Sequence, residues 1–242
     1  MSRAAVGRRD GLGSRPTAIN SRFWDGNADR WPHQDPKVLP CWGLWPVPER
    51  DIGALGDFAG KRVLDAGCSF GEACVALAEQ GAAGCVGYDL STKRIKQACK
   101  SAKRAGVEKL CRFEVRDASH DLPLDDGSVD IVLSHRGALS YSDPREAVPE
   151  LARVLASGGV LAACVASPLA VAGYWMKNER GEGQDYYSVS VFDDGQTVEY
   201  ACGFGVWVRL FRDNGFVIED AIELPNPLLP HPCEIVWKAR KT

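Results

Sequence analysis

Two short runs carry the residues best suited to chemistry. Arg62-Val63-Leu64-Asp65-Ala66-Gly67-Cys68-Ser69-Phe70-Gly71 reads as a buried strand that enters a glycine-rich turn and opens a helix. Val86-Gly87-Tyr88-Asp89-Leu90-Ser91 reads as a second strand ending in a carboxylate. In an open α/β sheet, ligands bind outside the carboxyl ends of the strands, where the strand order reverses. Gly67 and Gly71 remove side chains where a ligand would approach the backbone. Asp89 is placed to accept hydrogen bonds from both hydroxyls of a ribose. The glycines lack the G-x-G-x-x-G spacing, which disfavours a dinucleotide site and an NAD-dependent oxidoreductase.

Three further motifs follow in order. Asp117-Ala118 closes a third strand, Leu122 to Val132 forms a loop and fourth strand, and Val148 to Gly159 forms a helix and a turn into a fifth. Together, from Lys61 to Val165, they resemble the S-adenosylmethionine (SAM) site of class I methyltransferases. The resemblance implies SAM as cofactor. It places Asp65 towards the cofactor's amino group, with Gly67 and Gly71 at the turn. It places Asp89 on the ribose with Leu90 beside it, Asp117 and the Ala118 amide on the adenine, and Ser134 at the end of the fourth strand. In similar enzymes an N-terminal helix folds over SAM, and Trp24 and Trp31 match its aromatic positions. Tryptophan faces attract cations, and the SAM sulfonium is one. The segments Trp207–Arg212 and Glu234–Lys238 resemble a small-molecule, actinobacterial-type branch.

Residues for a methyl acceptor are less sharply marked. His135 follows the fourth strand and is the candidate general base, since imidazole titrates near neutral pH. Trp42, Trp45, Arg136, Tyr141 and Tyr174 are candidate substrate-binding residues, although the tryptophans could equally cover the end of the sheet. Similar sequences often carry an acid and then a histidine where this chain has His135-Arg136. His33, His120 and His231 have no metal-ligand spacing, so no metal site is expected.

The elements that must position these residues alternate. Strands are expected at Arg62–Ala66, Gly84–Asp89, Arg112–Arg116, Val129–Ser134, Gly159–Ala166, Phe216–Glu223 and Glu234–Ala239, with helices at Glu72–Gln80, Thr92–Ala105, Pro144–Leu155 and Gly205–Asn214. Such alternation predicts a doubly wound, mostly parallel seven-stranded α/β sheet, Rossmann-like, with its last two strands antiparallel. An N-terminal helical cap is expected at 23–60, including a helix from Asn20 to Trp31. A disordered tail is expected at 1–22, and 61–242 forms the main domain. Within it, 168–202 is an insertion that acts as a lid or substrate platform.

Composition limits the partners. With 45% hydrophobic residues the 242-residue chain can bury a large core, and its formal charge of −3 offers no general attraction to nucleic acid or anionic membranes. The basic run Lys93, Arg94, Lys96, Lys100, Lys103 and Arg104 is read as the solvated face of one helix. Nine scattered cysteines with no C-x-x-C pair read as reduced thiols in a cytoplasmic protein. The reading as a whole is a SAM-dependent methyltransferase of a small molecule, with oxygen the first choice of accepting atom and carbon or nitrogen next. The alternative is a protein of the same fold that catalyses a non-methylating reaction such as a cyclisation.

Overall fold

The computed structural model describes residues 15–30, 40–177 and 186–242, with side chains outside 174–177. Its centre is one seven-stranded sheet built from β3 (Arg62–Ala66), β4 (Gly84–Asp89), β5 (Cys111–Val115), β6 (Val129–His135), β7 (Leu155–Ala166), β10 (Phe216–Glu223) and β11 (Glu234–Lys241). The strand order is β10-β11-β7-β6-β3-β4-β5. Neighbours from β7 to β5 pair parallel, and β11 runs antiparallel to both β7 and β10. Helices α3 (Glu72–Glu79), α4 (Thr92–Ala105), α6 (Pro144–Val154) and α8 (Phe204–Asp213) cover the two faces. One apolar layer contains Leu151, Trp207, Phe211 and Trp237; the other contains Leu55, Leu77, Ala98 and Phe113. The expected fold class is therefore the observed one.

Order reverses between β3 and β6, and the turns leaving these two strands touch. Gly67 has φ +109, and a Cβ there would lie 2.3 Å from the Gly137 Cα. The glycine is thus required by backbone meeting backbone at the switch point. Gly71, with φ +72, starts α3, and a Cβ there would strike the Phe113 ring at 2.7 Å and Ala98 at 2.8 Å. Its bareness makes room for core packing, not for a ligand.

The N-terminal segment differs from expectation. Helix α1 runs Arg15–Gly26 and a 3-10 turn follows at Ala28–Arg30, so the last residues assigned to the tail are helical. Pro16, with its fixed φ, sits in the first turn, where its missing N–H costs nothing. Asn20 and Ser21 looked like a helix start, but their side chains reach other elements. The Asn20 Nδ2 donates to the Tyr141 and Val198 carbonyls, and the Ser21 hydroxyl donates to the Leu90 carbonyl. Trp31 lies outside the described residues. Next come a small hairpin of β1 (Cys41–Trp42) and β2 (Val47–Pro48) and the short helix α2 (Glu49–Ile52). The insertion holds α7 (Pro168–Lys177) and an antiparallel hairpin of β8 (Val189–Asp193) and β9 (Val198–Cys202). A short helix α5 (Ala138–Tyr141) follows β6. Among the described residues, no helix is long and apolar enough to cross a membrane.

Candidate functional site

A cavity of about 710 Å³ opens at the carboxyl ends of β3, β4 and β6. Its wall includes Asp65, Gly67, Asp89, Leu90, Asp117 and Ala118 at one end and His135, Arg136 and Tyr141 at the other. Trp24 of α1 and Leu44 and Pro46 of the first hairpin also line it.

Each carboxylate has its own environment. Asp65 is buried, and among the described residues its one hydrogen-bond donor is the Cys74 thiol at 3.8 Å. Burial first, then the nearby Asp89 charge, raise its pKa to about 7. A buried carboxylate so poorly solvated favours a cationic partner, and the ammonium of an amino-acid ligand fits. Asp89 accepts the Ser69 amide at 2.9 Å on one oxygen and the Ser91 amide at 2.8 Å on the other. Burial also pushes its pKa up. One amide per oxygen leaves acceptor capacity on both for a pair of hydroxyls. Ser69 holds a left-handed φ of +50 to present that amide, a strained conformation of the kind that collects at functional sites.

Asp117 is more crowded than the sequence suggested. Its Oδ1 accepts the Ser119 amide and hydroxyl and the Ser142 hydroxyl, and its Oδ2 accepts the Thr17 hydroxyl of α1 at 2.6 Å. Capacity for an adenine amino group is therefore on Oδ2, beside Thr17. Helix α1 is fastened along this edge: besides Thr17 and Ser21, Asp25 accepts the Ser91 hydroxyl and the Lys93 amide.

Several expected site residues stand elsewhere. Ser134 is fully buried inside the sheet, where its hydroxyl donates to the Ala66 carbonyl and ties β6 to β3. Trp42 is fully buried; its Nε1 donates to Glu49, whose other oxygen accepts the Leu55 amide. It is a core anchor, not a substrate contact. Trp45 is half-buried and does not line the cavity, whereas its neighbours Leu44 and Pro46 do. Gly71, as shown above, faces Phe113 instead. Tyr174 sits on α7, with its side chain outside the described set.

Trp24 reaches the cavity, but a protein cation already covers its face. The Arg94 guanidinium lies 4.5 Å from the Trp24 ring centre and 5.1 Å from that of Phe70. The Arg94 side chain also donates to the Ser69 hydroxyl. Arg94 was grouped with the solvated basic run, yet it is buried while Lys93, Lys96, Lys100, Lys103 and Arg104 point outward. The missed signal was helical spacing: Arg94 precedes Ala98 and Ala102 on the buried stripe of α4.

His135 does not stand as a free base. Its Nε2 accepts the Gly43 amide at 2.9 Å, so the ring proton resides on Nδ1. Burial and the adjacent Arg136 charge lower its pKa to about 4. It therefore stays neutral and holds the β1–β2 turn over the cavity. Arg136 has φ +48 and donates to Glu234 at 3.0 Å; the second Glu234 oxygen accepts the Leu44 amide. Glu234 arrives at this edge because β11 is antiparallel and begins where β7 ends, pairing with Ala166.

Comparison with known proteins decides what this architecture is. Residues 64–163 match the family described as a methyltransferase domain. That region of the chain therefore carries the sequence pattern of a methyltransferase domain, of the SAM-dependent class whose fold the whole sheet shares. SAM is the family's cofactor, and the family is one of enzymes. The chain is 34% identical over 118 residues to norajmaline N-methyltransferase of Rauvolfia serpentina, covering 49% of this chain and 37% of that protein. It is 34% identical over 116 residues to 27-O-demethylrifamycin SV methyltransferase of Amycolatopsis mediterranei, covering 48% and 42% respectively. Each match thus spans less than half of the relative's length. The fold is shared with the geranyl diphosphate C-methyltransferase of Streptomyces coelicolor A3(2), at TM-score 0.66 and 15% identity over 96% of this chain and 100% of that one.

Proposed function

We propose that this protein is a SAM-dependent methyltransferase acting on a small organic acceptor of secondary metabolism, and that it belongs to the actinobacterial-type branch. The observation that carries the reading is the single continuous cavity. It joins three acidic strand ends suited to an amino acid, a ribose and an adenine to a second set of polar groups around Arg136. When bound, SAM supplies a methyl group activated by a positive sulfur. The chain's own residues then have four tasks. Asp65 neutralises the ammonium, Asp89 takes the ribose hydroxyls, Asp117 and Ala118 face the adenine, and α1 with the β1–β2 turn excludes water. Alignment of this kind can supply roughly 7–11 kcal/mol in well-oriented reactions without any nucleophilic side chain.

In this mechanism His135 positions the Gly43–Leu44 turn and takes no proton. The curated relatives whose names specify the accepting atom differ, norajmaline N-methyltransferase naming nitrogen and tocopherol O-methyltransferase of Arabidopsis thaliana naming oxygen. They therefore support a methyl acceptor without choosing the atom. The insertion contributes Thr197 to the cavity wall, which supports a substrate-facing role for it.

The test is to incubate the purified protein with methyl-labelled SAM and a metabolite extract. Label in a small product with equimolar S-adenosylhomocysteine is the expected result. A changed product with no label and intact SAM would establish the cyclisation alternative instead.

A further inference from the structure

Seven acids and arginines line the cavity, and six of them stand at the cofactor end. Asp65, Asp89 and Asp117 face the three parts of the cofactor as proposed above, and Glu72 follows Gly71 in the first turn of α3. Arg94 is stacked on Trp24 and Phe70 and donates to the Ser69 hydroxyl. Arg116 precedes Asp117 and donates to the Asp121 carbonyl. Arg136 is the seventh. It donates to Glu234 at 3.0 Å, but the two partners are not equally accessible. The Arg136 side chain is 31% exposed and Arg136 lines the cavity, whereas the Glu234 side chain is 4% exposed and Glu234 is absent from the wall. Glu199 of β9 lies within electrostatic reach of Arg136 and is likewise absent from the wall. The charge that the acceptor end presents to a ligand is therefore a guanidinium, with its acids behind it. The Arg136 amide donates to the Cys164 carbonyl at 3.0 Å, which anchors the left-handed turn that aims this side chain.

Among the described residues of the wall, none at this end is placed to accept a proton. The His135 Nε2 already accepts the Gly43 amide at 2.9 Å, and its Nδ1 carries the ring proton. Tyr141 lines the cavity, and burial pushes its phenol pKa up. Thr197 offers only a hydroxyl. The remaining wall here is apolar: Leu44, Pro46 and Phe23, with the Tyr141 ring meeting that of Trp24 edge to face at 5.0 Å. An ammonium would face Arg136 as a like charge and find no base to free its lone pair. An aliphatic alcohol or a C–H acceptor would find nothing to take a proton of very high pKa. A hydroxyl on an aromatic ring meets both conditions. It ionises close enough to neutral pH to need only a cation beside it, and its flat body fits the apolar wall.

We infer that Arg136 is the acceptor-binding cation of this cavity and that the acceptor is a phenol, held and methylated as its phenolate. The inference rests on the methyltransferase reading and deepens it. Arg136 stabilises the ionised hydroxyl, whose proton leaves for water. An oxygen lone pair forms the new O–C bond to the methyl carbon as the C–S bond breaks with its electrons remaining on sulfur. The products are an aryl methyl ether, neutral S-adenosylhomocysteine and the one proton already in water. Glu234 tempers the guanidinium from behind and fixes its direction, so that the bound phenolate stays reactive.

The test uses the full chain saturated with S-adenosylhomocysteine and the probe 4-nitrophenol, which is yellow only as its phenolate. Absorbance titration against pH gives the pKa of the probe free and bound. In the wild type the bound value is expected to fall by about one unit, a tenfold preference for the phenolate over the phenol, as for a charge-assisted contact. Arg136→Met should abolish the shift, and Arg136→Lys should keep part of it. Because Arg136→Met strands the buried Glu234, the double variant Arg136→Met/Glu234→Gln is measured beside it and should also show no shift. Glu234→Gln alone leaves the guanidinium unopposed and should enlarge the shift. S-adenosylhomocysteine affinity, measured by calorimetry, should be unchanged in all four variants, which separates a lost contact from a misfolded chain. No binding or no downward shift in the wild type, or an equal shift in the variants lacking Arg136, overturns the inference alone. Failure of the wild type to bind S-adenosylhomocysteine would overturn the methyltransferase reading and this inference with it.

Discussion

Ionisation of Asp65 offers the sharpest handle on the cofactor end of the cavity. Its pKa in the fold, about 7 against 3.8 for the free group, is raised by burial and by Asp89. The shift is about three pH units, or about 4 kcal/mol at 1.36 kcal/mol per unit. Because the folded value is the higher one, ionising Asp65 costs stability. The cofactor-free protein loses stability as pH rises from about 4 to about 7, and the cost persists above that window. Binding an ammonium beside Asp65 reverses this by restoring the charged form, which expels a proton. The affinity of S-adenosylhomocysteine should therefore rise with pH by up to about tenfold per unit between about pH 4 and 7, then level off. Asp65→Asn removes the titrating group, so its affinity should be lower at about pH 8 and nearly flat across the window. The same variant should melt at a higher temperature than the wild type when no cofactor is present at that pH. Calorimetry in two buffers of different ionisation enthalpy measures the proton release directly. A flat wild-type profile, or an equal slope in Asp65→Asn, would refute the assignment of Asp65 to the ammonium.

Three further outcomes follow from the geometry. Asp89→Ala should weaken S-adenosylhomocysteine binding by about 1–3 kcal/mol, since it strips the ribose hydroxyls of their acceptor and leaves the Ser69 and Ser91 amides unpaired; an unchanged affinity in calorimetry contradicts it. Thr17→Val keeps the shape of α1 but removes its bond to Asp117. Hydrogen exchange along 15–26 should then speed up, with about 1.5–3 kcal/mol less protection for a bond to a charged acceptor, and equal exchange in both proteins excludes that role. His135→Ala should raise the KM for the acceptor more than it lowers kcat, because it frees the Gly43 amide and loosens the turn without removing a base. A fall in kcat of about a hundredfold or more, with KM constant, would restore the general-base role.

Local signals made the frame legible. The ranges of β3, β4, α4 and β10 agree with the sequence reading, because each is bounded by a glycine, a cap or a change of period. Ser91 accepts the Arg94 amide at the start of α4 and Gly106 turns left-handed at its end, two features visible in sequence. That Asp65, Asp89 and Asp117 line one cavity was legible for the same reason: each lies at or just beyond the carboxyl end of a strand. What escaped was set by contacts across the fold. Trp42 is an interior residue because Glu49 and His135 meet it there, and nothing local distinguishes it from the half-buried Trp45. Ser134 looked like a site residue from its place at a strand end, but a neighbouring carbonyl claims its hydroxyl.

Asn20 has a consequence of another kind. Its one buried amide joins α1 to the Tyr141 carbonyl and to both backbone groups of Val198. On the same helix, Thr17 before it and Ser21 directly after it hold the adenine end through Asp117 and Leu90. The helix is therefore a shared hinge pin for two chambers. It cannot swing away from the nucleoside side while the wall bearing Thr197 stays in register, so loading one chamber also shapes the other.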